Sequence, residues 1–124
     1  MAKEFELFSK NYEAIQVAPA AAKSAGEFET YNEVNGFHLV DFSSDQVSAG
    51  EETTLITKAE TVRVVKHTGE TWAPGEAVAW VDASSYASNV VGSDILIGYV
   101  KEAAASADTE GVISFDGFAS QLKA

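Results

Sequence analysis

The sequence contains no cysteine, and this absence excludes several kinds of site at once. A disulfide framework, a thiolate zinc site and a cysteine nucleophile all require the missing residue. The chain also lacks any apolar run long enough to predict a membrane-spanning helix. Its first residues, Met1-Ala2-Lys3-Glu4-Phe5-Glu6, contain no apolar h-region and are not typical of a secretory signal. We therefore expect no membrane partner.

Basic residues are few. Eight Lys and Arg stand against 19 Asp and Glu, for a formal net charge of −11. Residues 1–23 hold three bases and three acids, so residues 24–124 hold five bases (8 − 3) and 16 acids (19 − 3). A body this acidic repels phosphate backbones at long range. We therefore expect no nucleic-acid partner.

Catalytic motifs are also missing. The sequence contains no Gly-x-Ser-x-Gly elbow, no phosphate-binding Gly-Lys-Ser/Thr loop and no dinucleotide fingerprint. Asp82 and Asp94 flank a polar loop, but nothing matches the acid spacing of a Ca²⁺ loop. His38 and His67 are interpreted as surface residues. The sequence predicts no catalytic residue, no metal site and no cofactor, and hence a protein that is not an enzyme.

What is present is the pattern of a small β-protein. The chain has 124 residues, 46% of them hydrophobic, which suits a single domain. Asn35-Gly36 predicts a hairpin turn, and the best helix candidate is the Ala-rich stretch 102–107. The β-rich runs predict seven strands, near 28–34, 37–42, 53–58, 61–66, 77–81, 95–101 and 112–115. We expect a mainly β fold, a small barrel or sandwich with little helix.

Three similar turns are predicted between the β-rich runs, at residues 24–27, 48–51 and 73–76. Each has a small residue or proline, then glycine, then glutamate, and a β-rich run follows. Glycine suits such turns because it accepts positive φ angles. The interval between the turns is close to the length of a hairpin unit, so we do not interpret it as a solenoid repeat.

Residues 1–23 differ from the rest of the chain in charge and amino-acid composition. Between Phe5 and Val17 they contain six large apolar residues, and then an Ala/Pro stretch around Pro19 that would stop a helix. Two interpretations stay open: an extended arm with a linker, or an N-terminal strand of the domain itself. With the first, the chain divides into an arm and linker (1–23), a β-domain (24–116) and a C-terminal extension (117–124).

The two tryptophans suggest different roles. Trp80 follows apolar strand neighbours and is expected in the core. Trp72 precedes the turn at residues 73–76, and both core packing and a binding platform stay open for it.

The order of these features resembles the tailed-bacteriophage capsid cement, or head decoration, family. The resemblance extends over roughly residues 24–116, and residues 117–124 and 1–23 are extensions to it. It rests on the turn at 24–27, Gly36, the turn at 49–51, the segment 72–80, Leu96-Ile97-Gly98-Tyr99-Val100 and the closing 112–115.

The resemblance implies a small β-barrel or β-tulip-like sandwich on the outer surface of the virion. It implies trimers at threefold and quasi-threefold axes that clamp major capsid protein subunits and stabilise the expanded shell. Such a protein would be made in the cytoplasm of the bacterial host.

For attachment we expect the arm to supply apolar anchors, so that a chain without residues 2–17 keeps its body but no longer binds shells. Trp72 and the C-terminal extension are further candidates for capsid or subunit contacts. The candidate residues are Phe5, Leu7, Phe8, Tyr12, Ile15, Trp72, Phe118 and Leu122.

The alternative function is a carbohydrate- or surface-binding β-module. In that case Trp72, Tyr86 and Tyr99 would be the stacking platforms.

Overall fold

The computed structural model describes residues 4–118, which form nine β-strands and one short helix. The mainly β fold with little helix is therefore confirmed. In chain order the elements are β1 (Phe5–Leu7), β2 (Tyr12–Val17), β3 (Phe28–Tyr31), β4 (Val34–His38), α1 (Ser44–Ser48), β5 (Thr53–Val65), β6 (Ala77–Val81), β7 (Tyr86–Ser88), β8 (Ile95–Val100) and β9 (Glu110–Asp116).

Strand β5 organises the sheet, because its 13 residues pair antiparallel with β1, β2, β4 and β9. The sequence predicted two strands here, at 53–58 and 61–66, with a break between them. The structure has one strand whose register against β9 shifts between Ala59 and Val62. A bulge of this kind bends and twists a strand without ending it, so the break in the apolar pattern was not a turn.

The sheet runs in the order β3-β4-β5-β9-β8-β6-β7, with β1 and β2 also paired to β5. It curls so that β7 returns to the end of β5. A parallel bridge joins Lys66 to Ala87, and the N–H of His67 donates to the carbonyl of Ala87 at 2.9 Å. This contact gives one half of the sheet a barrel-like shape and encloses the core.

The first hairpin has its turn earlier in the chain than predicted. Tyr31 pairs with Val34, so the turn is Asn32-Glu33, and Asn32 adopts the positive φ of 56° that asparagine tolerates. Gly36 lies within β4, where an added Cβ would be 2.5 Å from the carbonyl oxygen of Ile56. The glycine is therefore required by the close approach of β5, and Asn-Gly was a misleading turn signal.

The helix was also predicted in the wrong place. Helix α1 begins after Ser43, whose side chain accepts from the N–H of Gln46 while the Gln46 side chain accepts from the N–H of Ser43. This capping box suits a short helix. The predicted helix at 102–107 is instead an irregular segment that pairs with Trp72 through Ala104. The described residues contain no helix with the length and apolarity that a bilayer crossing requires.

Two of the three Gly-Glu turns share one geometry. The carboxylates of Glu27 and Glu76 fold back to accept from the N–H groups of Ser24 and Ala73, at 3.0 and 2.7 Å. Each turn then enters a strand, β3 or β6. The turn around Gly50 is different, because it ends α1. The similarity seen in the sequence therefore reflects common local structure in two cases and coincidence in the third.

The core is rich in stacked aromatic rings. The ring of Phe5 lies at its centre, with centroids 5.9 Å from Phe28, 5.1 Å from Phe37, 4.8 Å from Trp80 and 5.4 Å from Phe115. Such offset and edge contacts add to the burial of apolar area. Because Phe5 belongs to β1, the N-terminal segment contributes to the same core as the body.

The N-terminal segment that ends at Val17 therefore supplies two extended strands that pair with β5. Of the two interpretations left open, the structure has the features of both, since β1 is packed into the domain and β2 lies along it. The residues of β2 are mostly exposed, apart from Val17. The division of the chain at residues 23 and 116 stays a prediction.

Candidate functional site

A polar cluster of the fold is centred on Glu70. Its carboxylate accepts from Ser88 Oγ at 2.6 Å, Asn89 N at 3.0 Å, Trp72 Nε1 at 3.1 Å and His67 Nδ1 at 3.1 Å. Burial by itself would raise the pKa of Glu70. The hydrogen bonds from these four groups outweigh it and hold the pKa below its ordinary value.

This cluster contains serine, histidine and a carboxylate, but not in a catalytic order. A serine nucleophile needs its hydroxyl bonded to a base, with the acid behind that base. Here Ser88 donates directly to Glu70, and the ring of His67 stacks on Tyr86 with centroids 4.3 Å apart. The arrangement instead fixes the end of β7 and the indole of Trp72 to one carboxylate, which is a structural role.

We expect Glu70→Gln to lower the free energy of unfolding by about 1.5–3 kcal/mol near neutral pH, because several buried donors lose a charged acceptor. The lowered pKa of Glu70 also fixes a pH dependence. Its stabilisation is present above the ordinary carboxyl pKa and is lost as the pH falls through the lower, folded value. Denaturant titrations between about pH 3 and pH 7 should therefore show that the free energy of unfolding falls more steeply with decreasing pH in the wild type than in Glu70→Gln. Equal slopes in the two proteins would contradict this role.

The two histidines occupy different environments. His67 is part of the cluster just described, with a side chain 45% exposed. His38 is buried, and its Nε2 lies 2.7 Å from Glu29 Oε1. The prediction that His38 lies at the surface was wrong. It ends β4, which lies between β3 and β5, and consecutive residues of this strand from Asn35 to His38 are buried, so both faces of the strand are covered.

The N-terminal segment carries a run of exposed apolar surface, which we call the arm face: Phe8, Tyr12 and Ile15. Phe8 is 51% exposed and Tyr12 is 45% exposed, and Ile15 is half-buried. The guanidinium of Arg63 lies 4.9 Å from the centroid of the Phe8 ring. Large apolar side chains left uncovered along one segment are typical of a surface that binds another protein.

Arg63 fixes this segment to the sheet. It pairs with Glu6 of β1 and lies 3.6 Å from Glu110 of β9. The hydrogen bond to Glu6 and the two nearby carboxylates raise the pKa of Arg63, despite a smaller opposing effect of desolvation. The guanidinium therefore stays charged and connects β1, β5 and β9 beneath Phe8.

Strand β2 leaves one of its edges unpaired. Its six residues pair with β5, and within residues 4–118 no further strand lies on its other side. An exposed edge offers backbone N–H and carbonyl groups to an incoming strand. The arm face and this free edge belong to the same segment, so a partner could use both at once.

The other candidate residues lie in different surroundings. Phe5 and Trp72 are buried in the chain's own core, with 0% and 1% of their surface exposed, so the folded chain offers neither to a partner. Leu7 is half-buried, and Phe118 is half-buried with its N–H bonded to Asp116. Leu122 lies outside the described residues.

Sequence reasoning missed two features, the free edge of β2 beside the arm face and strand β7 beside the Glu70 cluster. A strand exposed on both faces has no alternation to detect, which explains β2. Strand β7 is too short to show a period. Within residues 4–118 no group of three or more His, Asp or Glu side chains is placed to hold a metal ion.

Comparison with known proteins gives one result. The family model described as phage cement protein matches residues 10–115 of the 124. No curated protein and no solved structure matches the chain. The matched region includes β2 to β8, helix α1 and all of β9 except its last residue, and so nearly all of the fold described above except β1. The chain therefore belongs to the phage cement protein family, whose members have a structural role on the phage capsid.

Proposed function

We propose that this protein binds the outside of a phage head at threefold and quasi-threefold axes, as a trimer, and stabilises the expanded shell. Its partners would be the major capsid protein and other copies of itself. The observation that supports attachment is the N-terminal segment, where Phe8 and Tyr12 stay about half exposed beside a free strand edge. The family supports the capsid as partner.

The stabilisation would come from binding energy alone. A protein that binds the intact shell, and not separated subunits, shifts the equilibrium toward the shell by about 2.7 kcal/mol per site at a hundredfold excess over Kd. Three linked subunits that engage one axis together would add avidity. Many weak sites on one shell can therefore resist internal pressure without any single strong contact.

The outer surface of the head suits the charge of the chain. A net charge of −11 would be unfavourable against packaged DNA on the inner surface. On the outer surface the charge keeps decorated particles apart. The arm face is close to the Arg63 guanidinium and belongs to residues 1–23, whose acids and bases balance, so it is the surface we expect to meet the shell.

We expect the purified protein to co-sediment with expanded, undecorated heads and to saturate at three copies per threefold axis. The double variant Phe8→Ala/Tyr12→Ala should bind at least about tenfold more weakly, since two large rings lose their burial. Val90→Ala is the matched control, because Val90 is 68% exposed and lies between β7 and β8. It should bind like the wild type.

Point variants replace the deletion of residues 2–17 in this test. The deletion would remove Phe5 from the core as well as the arm face, so loss of binding could follow from loss of the fold. Wild-type affinity of the double variant would reject the arm face as the attachment surface. No binding of the wild-type protein to heads of its own phage would reject the cement function itself.

A further inference from the structure

A groove of about 510 Å³ lies on the outer face of the sheet. It crosses β5, β9, β8 and the start of β6. A second depression of about 340 Å³ shares Lys58 and Ser114 with it and extends toward β2. The residues that matter for its chemistry are Lys58, Ala77, Gly98, Tyr99, Ser114 and Asp116.

The strand register brings these residues together. Lys58 is the partner of Asp116 across β5 and β9, Ser114 is the partner of Tyr99 across β9 and β8, and Tyr99 is the partner of Ala77. Partners in adjacent strands lie on the same face. Their chain neighbours Ala59 and Phe115 are buried, so Lys58, Ser114 and Asp116 face outward.

A bulge in β8 shapes the groove. The register between β6 and β8 shifts between Val78 and Ala79, and Gly98 at this point has a φ of 148°. Bulges re-aim the side chains beside them. Tyr99, the next residue, is 49% exposed and stands beside a floor made of Gly98 and Ala77.

The groove offers one exposed ring and both kinds of hydrogen-bonding group. Lys58 is exposed, and among the described residues its ammonium forms no ion pair. It can donate, Asp116 can accept, and the Ser114 hydroxyl can do either. Although the chain has a net charge of −11, the groove is lined by one base, Lys58, and one acid, Asp116, so their charges balance.

These features select among possible occupants. An anion would be repelled by the charge of the whole chain. A peptide laid across the strands would find their N–H and carbonyl groups already paired within the sheet, so its own backbone would lack partners. A sugar ring presents an apolar face and many hydroxyls, which match a tyrosine ring with donors and acceptors around it.

We propose that this groove binds an uncharged oligosaccharide, with Tyr99 stacking on a sugar ring and Lys58, Ser114 and Asp116 binding its hydroxyls. The inference goes beyond attachment to the head and does not depend on it, because the isolated protein would bind the sugar. It also reduces the three stacking platforms that the sequence suggested, Trp72, Tyr86 and Tyr99, to Tyr99. Trp72 is buried and Tyr86 stacks on His67, whereas Tyr99 is free to stack on a ligand.

The test is a calorimetric titration of the full-length protein with short oligomers of glucose, mannose, galactose and N-acetylglucosamine. We expect saturable binding of at least one series, weakened about tenfold or more by Tyr99→Ala and retained in Tyr99→Phe, which keeps the ring. Asp116→Asn should weaken it as well. Phe8→Ala is the control, since Phe8 lines neither depression, and it should bind the sugar like the wild type.

Absence of binding to every series would overturn the proposal, as would equal binding by Tyr99→Ala. Head binding by the same variants separates this inference from the proposed function. If Tyr99→Ala loses the sugar and still decorates heads, the groove is a separate site. If Tyr99→Ala loses head binding while the wild type binds no sugar series, the groove belongs to the capsid interface and the saccharide assignment is rejected.

Discussion

Replacing Phe5 with alanine should destabilise the protein by about 3–5 kcal/mol, the cost of removing a fully buried phenylalanine. The ring contacts four other aromatic rings from β3, β4, β6 and β9, so no single neighbour can move to fill the space. A loss of this size is a large fraction of the stability of a small domain. Urea unfolding monitored by tryptophan fluorescence measures it directly, because Trp80 is one of the neighbours.

Phe8→Ala is the matched control for this prediction. Phe8 lies slightly further along the same segment but is 51% exposed, and its contact with Arg63 is worth about 1 kcal/mol or less. If Phe5→Ala proved as mild as Phe8→Ala, the N-terminal segment would be an arm that the core does not need. The expected difference would show that β1 is part of the folding unit.

Replacing Gly98 with alanine should cost at least about 3 kcal/mol, for two separate reasons. The φ of 148° is accessible to glycine and is strained for any residue with a side chain. An added Cβ would also lie 1.8 Å from the carbonyl oxygen of Ser114, which is backbone and cannot rotate away. The variant must therefore separate β8 from β9 or lose the bulge.

Gly50→Ala separates the two causes. Gly50 has a φ of 69° at the end of α1, but nothing lies within 4 Å of the position its Cβ would take. It should cost only about 1–2 kcal/mol, the penalty of a left-handed alanine. Urea midpoints of the two variants give the comparison. Equal losses would mean that β9 relaxes around the extra methyl group, contrary to the close pairing described here.

Local signals in the sequence predicted the strands that alternate or that follow a clear turn. Strand β6 was predicted at its observed bounds, because the turn at 73–76 fixes its start and apolar residues fill it. The approximate positions of β8 and β9 were predicted for the same reason. Hairpin β3–β4 was predicted as a pair, but its turn was displaced along the chain, since Gly36 serves the contact with β5 and not a turn.

The proposed attachment surface could be predicted only in part. The sequence placed apolar anchors in the segment that ends at Val17, and Phe8 and Tyr12 are indeed exposed there. It could not separate them from Phe5, which has the same chemistry and lies close to Phe8 in the chain. Burial depends on which strand the segment pairs with, and that pairing joins residues far apart in the chain, as in Phe5 with Val64.

By itself, then, the sequence determined the class of fold, the absence of cysteine chemistry, the acidic charge and the likeness to capsid cement proteins. These depend on composition and on short-range patterns, which a chain carries whether folded or not. The tertiary structure alone decided which aromatic rings are core and which are surface, where β2 leaves an edge free, and that Lys58, Tyr99 and Asp116 share a groove. Each of these depends on strand register, and register is fixed by the simultaneous packing of distant segments.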